Sequence, residues 1–210
     1  MTPGEIIFLN GTSSAGKSTL ARAVQEIMER PFVHTGVDHY FYYVPSRLIV
    51  IGDGIDPPAT DGWLVVQPED TMVDLRLGAA ARKILRGMYA SVAALSRSGV
   101  DVIVDDVLFD LDVMRSAVRA LADCPVLFVK VHCPLETAEA RERGRPDRSK
   151  GAARTFHEIA HAHWEYDLAI DTSISSPEAG ARAVQEASRN PARRRAFRRL
   201  YESLPPDDAA

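Results

Sequence analysis

Short runs of consecutive apolar residues, the mark of strands buried on both faces, alternate along this chain with longer stretches in which apolar residues recur every three or four positions, the mark of amphipathic helices. The runs lie at residues 5–10, 32–38, 100–106, 125–131 and 166–172, and the helical stretches at 17–29, 70–97, 111–123, after Pro134, at 152–164 and at 177–188. Pro31 stops the first helix and Gly99 closes the longest one. Strands alternating with helices predict an α/β fold: a central parallel sheet of about five strands with helices on both faces. One interval breaks the rhythm. Tyr40, Phe41, Tyr42 and Tyr43 precede Arg47-Leu48-Ile49-Val50-Ile51, and Trp63-Leu64-Val65-Val66 follows a Gly/Asp/Pro cluster. This predicts an aromatic patch leading into a hairpin with a long turn over 52–62, a cap inserted over 39–68. Such a patch can wall an apolar substrate pocket, or it can simply bury the hairpin against the body.

Between the first strand and the first helix stands Gly11-Thr12-Ser13-Ser14-Ala15-Gly16-Lys17-Ser18, followed by Thr19. It meets the phosphate-cradling pattern G-x-x-x-x-G-K-[ST] in its required context. Gly11 and Gly16 permit backbone geometry in which successive N–H groups point at phosphate oxygens, aided by the positive end of the helix dipole. Lys17 can reach the β/γ-phosphates and Ser18 can offer an oxygen to Mg²⁺. ATP and GTP share everything that such a loop reads.

Three further segments bear candidate chemistry. Asp38 ends the second strand at the sheet edge where ligands of open α/β folds bind, so it can accept the proton of an attacking hydroxyl, or else cap the next helix. The strand at 100–106 delivers Asp105 and Asp106. Neighbouring strand positions face opposite ways, so Asp105 is assigned to the Mg²⁺ water shell and Asp106 to the substrate or a supporting bond. The run Arg141-Glu142-Arg143-Gly144-Arg145-Pro146-Asp147-Arg148 is read as a lid over 141–151 whose guanidiniums close on the triphosphate, against the alternative of an exposed ion-paired loop. His157 and His161 have metal-ligand spacing but no clear third partner, so zinc is rejected and His161 is assigned to the substrate.

Composition narrows the rest. The 210 residues suit a single domain, and the formal charge of -4 argues against a nucleic-acid surface. Cys124 and Cys133 do not make a disulfide framework, no apolar run approaches the roughly 20 residues of a membrane span, and Glu5 sits where a signal peptide would be basic. A cytoplasmic protein is expected. Residues 190–210 read as a basic helix, with Arg193, Arg194, Arg195, Arg198 and Arg199 around Phe197, Leu200 and Tyr201, then a loose tail.

Taken together, Leu9-Asn10-Gly11 with Ser13-Ser14-Ala15-Gly16-Lys17-Ser18, Gly36-Val37-Asp38, Ile103-Val104-Asp105-Asp106-Val107, Arg141-Glu142, Asp147-Arg148, His161, Tyr166-Asp167 and Asp171-Thr172 resemble the chloramphenicol phosphotransferase-like P-loop kinases across most of 5–185. The resemblance implies a nucleoside-kinase-like three-layer sandwich that transfers the γ-phosphoryl group of ATP or GTP, with Mg²⁺, to a hydroxyl of a small molecule, typically an antibiotic. It implies Asp38 as the base, Lys17, Arg141 and Arg148 as catalytic cations, and Arg145, Asp171 and Thr172 beside the nucleotide. Tyr40 and Tyr42 are expected to touch the acceptor, and a homodimer is compatible with the family. A metabolite kinase for a sugar or nucleotide-like acceptor would use the same machinery. A nucleotide-dependent switch should carry a guanine-reading Asn-Lys-x-Asp, which is absent from the sequence.

Overall fold

The computed structural model describes residues 2–52, 61–66, 72–145, 150–162 and 164–205. Five parallel strands form the main sheet: β1 (Ile6–Asn10), β2 (Phe32–Gly36), β6 (Asp101–Asp106), β7 (Val126–His132) and β8 (Leu168–Asp171). They lie in the order β2-β6-β1-β7-β8. Because successive side chains point to opposite faces, β1 feeds two cores. Ile6 and Phe8 pack with α3 (Ala79–Arg97), α4 (Leu111–Ala120) and α8 (Ala196–Ser203), whereas Ile7 and Leu9 pack with α1 (Lys17–Ile27) and α7 (Pro177–Ser188). The three-layer α/β architecture expected from the sequence is what forms.

Local signals fix several ends. Asp110 caps α4 by accepting from Asp112 and Val113 N–H, and Ser176 caps α7 by accepting from Ala179 N–H. Gly99, at φ 89°, ends α3 in a left-handed turn in which Val100 N–H reaches back to the Leu95 carbonyl.

The cap departs from expectation. Strand β3 (Ile49–Gly52) pairs with β4 (Trp63–Val66) in parallel, so the predicted hairpin does not exist. The antiparallel partner of β4 is instead β5 (Asp74–Leu77), in register Trp63↔Leu77 and Val65↔Leu75. The sequence pattern places Leu75 and Leu77 in a helix over 70–97, yet α3 begins at Ala79. Asp74-Leu75-Arg76-Leu77 alternates polar and apolar, and this period of two wins because it puts Leu75, Leu77, Trp63, Val65 and Ile51 on one face. The second strand is likewise shorter than expected: Asp38 lies in the first turn of α2 (Val37–Tyr43), with Gly36 at the cap.

The C-terminal helix is part of the core rather than an appendage. The Phe197 ring sits 5.2 Å from Phe8 and 4.8 Å from Phe128, and Arg194 meets the buried Glu5 carboxylate at 2.8 Å. Of the loose tail expected from Leu204 onward, Leu204 packs against the core and the Pro205 carbonyl accepts from Arg119 at 3.0 Å, while residues 206–210 lie outside the described residues.

Candidate active site

The carboxyl ends of β1, β2, β6, β7 and β8 converge on the loop at 11–18. Gly11 has no Cβ because one would lie 2.2 Å from the Val131 carbonyl oxygen, and this lets the chain turn away from β1 hard against β7. Ser14 and Gly16 both take left-handed backbone angles, φ 59° and 91°. The start of α1 carries no side-chain cap and no acidic residue in its first turn, so its N–H groups and dipole are not offset by a local carboxylate. Ser14 Oγ is buried with no hydrogen-bond partner. A phosphate oxygen would satisfy it, so the loop fits the group that its sequence announces.

Below the loop, Lys17 donates to the Thr12 carbonyl at 2.9 Å, and its Nζ lies 3.9 Å from Asp105 Oδ1. Ser18 Oγ donates to Asp105 Oδ2 at 2.6 Å. Burial works to raise the Asp105 carboxyl, but His34, Lys17 and Ser18 outweigh it and hold it below the ordinary carboxylate range. Asp106 is the reverse case. Burial pushes it up to about 6, with the Tyr89 hydroxyl and the Val107 N–H (2.7 Å) offsetting only part of that. Among the described residues no group of three or more His, Cys, Asp and Glu could hold a metal ion. Magnesium asks for less, since one or two carboxylates with phosphates and waters suffice. Ser18 and Asp105 fit that donor set.

Two clefts open from the loop. The cap-side cleft, about 370 Å³, holds Ser13, Ser14, Gly16, Lys17, Ser18, Thr19, Asp38, Asp105, Asp106 and Arg145 at one end. Its far wall is apolar, built from Phe41, Tyr42, Trp63, Leu75, Phe109 and Phe156 among others. The other cleft, about 410 Å³, runs past Ser14, Gly16, Thr19, Arg141, Arg145, Thr172 and Ser175 toward α7. There Gly180 keeps the floor low: a Cβ would press on Leu20 at 3.0 Å and Ile170 at 3.3 Å.

The expected site residues divide accordingly. Asp38, Lys17, Ser18, Asp105, Asp106 and Tyr42 are brought to one cleft, and Arg145 and Thr19 line both. Ala15 is buried, its carbonyl accepting from Thr172 Oγ1 at 2.7 Å. Arg141 does not belong to a loop. It lies in α5 (Leu135–Arg143) and grips Thr172 through its Oγ1 (2.9 Å) and carbonyl (2.8 Å), forming a fixed wall. Asp171 turns away, its carboxylate accepting from Ser173 N–H and Oγ. Tyr40 also misses the cleft, because its hydroxyl bonds Ser91 on α3 at 2.8 Å. His161 is tied at 2.8 Å to the Tyr166 hydroxyl, outside both cleft linings, and burial drives its ring down to about 4, so it is neutral near pH 7. Arg148 lies outside the described residues.

Three further contributors stand in the sequence patterns without a role of their own. Phe41 packs edge-on against Trp63 and lines the cleft beside Tyr42. Glu142 is buried and caps the start of α6 (Ala152–Ile159), accepting from Gly151 and Ala153 N–H at 2.7 Å each. Asn10 donates to the Ala160 carbonyl (2.6 Å) and the Tyr166 hydroxyl (2.8 Å) and accepts from Leu108 N–H (2.9 Å), fastening the loop's entry to its surroundings. The sequence signals for Asn10 were a polar residue ending an otherwise apolar strand and its place in the Leu9-Asn10-Gly11 pattern. No described helix is long and apolar enough to cross a membrane.

Residues 4–189 match the family described as chloramphenicol phosphotransferase-like protein. A protein from two strains of Mycobacterium tuberculosis, whose name assigns it O-phosphotransferase activity provisionally, is 30% identical over 202 residues, or 89% of this chain and 83% of its own. Among solved structures, the Mycobacterium tuberculosis APS kinase in complex with AMPPNP and APS superposes with a TM-score of 0.62 at 16% identity, over 90% of this chain and all of its own. A sugar kinase from Janibacter sp. gives 0.58 at 20% identity over 91% and 98% of the two chains. The Deinococcus radiodurans tunicamycin resistance protein gives 0.58 at 15% identity over 87% and 94%. At such identities these structures speak to the fold alone. The chain belongs to the chloramphenicol phosphotransferase-like family and is a P-loop kinase.

Proposed function

We propose that this kinase moves the γ-phosphoryl group of ATP or GTP to a hydroxyl of an uncharged, largely apolar small molecule, an antibiotic of the chloramphenicol or nucleoside kind that the phosphate inactivates. One observation carries the reading: Asp38 lines the same cleft as Lys17, Ser18 and Asp105, and the far wall of that cleft is aromatic and aliphatic. Among its described lining residues the cations are Lys17 and Arg145, both beside the phosphate loop, so an anionic acceptor would find no counter-charge at the far wall. That disfavours an acceptor such as APS and favours a ring-bearing alcohol.

In this mechanism the acceptor lies against Phe41, Tyr42 and Trp63 with its hydroxyl at Asp38. Asp38 takes the hydroxyl proton as the oxygen attacks the γ-phosphorus, and the bond to the bridging oxygen breaks to release the nucleoside diphosphate. Lys17, Arg145 and Arg148 supply positive charge to the phosphoryl oxygens, and Arg141 does so from its anchored place on Thr172. Mg²⁺, held by Ser18 and Asp105, would neutralise phosphate charge. The base and ribose occupy the cleft toward α7.

The test is incubation with γ-labelled ATP and GTP against a panel of hydroxylated compounds. Label is expected on uncharged aromatic or nucleoside alcohols. Label confined to sugar acids or sulfonucleotides would sink the acceptor assignment, and label released only as inorganic phosphate would sink the transferase reading of Asp38.

A further inference from the structure

We infer that Thr172 is a positioning residue for the phosphate loop: by holding the Ala15 carbonyl, its hydroxyl keeps the Gly16 N–H turned toward the phosphates before any nucleotide arrives. The inference rests on the reading of the loop at 11–18 as the cradle of the triphosphate. Ala15 and Gly16 share one trans peptide plane, in which the carbonyl and the N–H point in opposite directions. Fixing the carbonyl therefore fixes the N–H. The chain at Gly16 does not fix it, because this residue sits at φ 91°, and a glycine passes between left-handed and right-handed backbone angles at little cost. Nor does crowding: a Cβ on Gly16 would find its nearest neighbours, Arg141 Nη1 and Thr172 Oγ1 and Cγ2, at an ordinary 3.5 Å.

Thr172 is itself rigidly placed. It follows β8 directly, and its N–H carries the parallel ladder one step on by donating to the His132 carbonyl of β7 at 2.9 Å. Its own carbonyl accepts from Arg141 Nη2 at 2.8 Å, so the backbone is held from both sides. A hydroxyl has one proton to give and two lone pairs to receive with. Arg141 Nη1 donates to Thr172 Oγ1 at 2.9 Å. That oxygen lies 2.7 Å from the Ala15 carbonyl oxygen against 3.3 Å from that of His132, which already accepts from the Thr172 N–H. The proton therefore goes to Ala15, in a relay from guanidinium to hydroxyl to carbonyl in which each bond polarises the next. Ala15 is wholly buried, so its carbonyl depends on a protein partner, and Arg141 Nη1 stands 3.5 Å from it, too far to replace the hydroxyl without moving. The other side of the peptide is open. Among the described residues the Gly16 N–H donates to no backbone carbonyl, whereas the Ala15 N–H turns back to that of Thr12 at 3.3 Å. With Ser14 also left-handed, at φ 59°, the N–H groups at this corner make an anion-binding concavity, and a phosphate oxygen is the acceptor that Gly16 lacks.

The role predicts a loss of preorganisation rather than of a contact. When the competent loop is only partly populated, apparent affinity falls by that fraction, and the loss appears in association. Stopped-flow binding of a fluorescent ATP analogue is measured for the wild type, Thr172→Val, Thr172→Ala and Thr172→Ser, with thermal melts alongside. Thr172→Val, which keeps the shape and loses the donor, should slow association about five- to tenfold and leave dissociation within about twofold of wild type. Thr172→Ser, which returns the hydroxyl, should restore most of the rate. Dissociation that quickens by as much as affinity falls would make the hydroxyl a contact of the nucleotide and overturn the inference. An unchanged association rate in whichever of Thr172→Val and Thr172→Ala folds overturns it too, as does failure of Ser to restore the rate. If adenosine displaces the analogue from the wild type as well as ATP does, the loop holds no triphosphate, and that reading fails first and takes the inference with it.

Discussion

The two ends of the cap-side cleft are built on different principles. At the phosphate end nearly every side chain is fixed by a directional bond: Thr12 to the Ala153 carbonyl, Lys17 to Thr12, Ser18 to Asp105, Asn10 to three partners. At the cap end the wall is held by packing, with Phe41 on Trp63 and Phe109 on Phe156, and Tyr42 stands 68% exposed. Directional bonds admit few substitutes, so chemistry common to a whole family is written there. Apolar packing tolerates exchange of shape at modest cost, so the part that selects an acceptor can change without disturbing the part that activates phosphate.

The contrast can be broken at the phosphate end first. Lys17→Ala should lower transfer by about 10²–10³-fold and weaken nucleotide binding, because no other described cation lies so deep beneath the loop. Steady-state kinetics with a labelled nucleotide checks it, and a variant within a few-fold of wild type would mean that the loop's electrostatics are not used as supposed.

The boundary between the two ends is sharpened by Asp106. Its folded-state value of about 6 lies above the ordinary carboxylate value of 3.8, so its contribution to stability is fully present below about pH 4 and is lost as pH rises through 6. The loss is on the order of 3 kcal/mol. Asp106→Asn can still meet Tyr89 and Val107 and has no charge to bury. It should match the wild type near pH 4 and exceed it by about that amount at pH 7. Denaturant melts across this range decide the matter, and a difference that is flat with pH would contradict the buried-charge description.

The smallest effect is expected at the cap mouth. Tyr42→Ala should raise the acceptor KM by about three- to tenfold with stability and nucleotide affinity unchanged, since the ring is mostly solvated but borders the cleft. A fall in kcat with no change in KM would instead place Tyr42 at the reacting end.

The same contrast explains what could be read from sequence. Gly11, Gly16, Lys17 and Ser18 are legible because backbone angles and phosphate chemistry leave no alternatives, and the strands at 5–10 and 100–106 because burial on both faces demands unbroken apolar runs. The cap resisted for a physical reason. Leu75 and Leu77 fit a helical period with the residues after them as well as a strand period with Asp74 and Arg76, and only pairing with Trp63 and Val65 decides between the two. Tyr40 and Tyr42 cannot be told apart by type, yet one faces Ser91 and the other the cleft. His161 and Asp171 had the right chemistry and found partners elsewhere, in Tyr166 and Ser173.

The measurement that reaches the centre of the mechanism is single-turnover transfer by Asp38→Ala set beside its nucleotide affinity. If Asp38 receives the acceptor's proton, transfer falls by about 10²–10⁴-fold while nucleotide binding stays within about twofold of wild type. Transfer at the wild-type rate, or a loss of nucleotide binding as large as the loss of transfer, would show that the carboxylate is not the base.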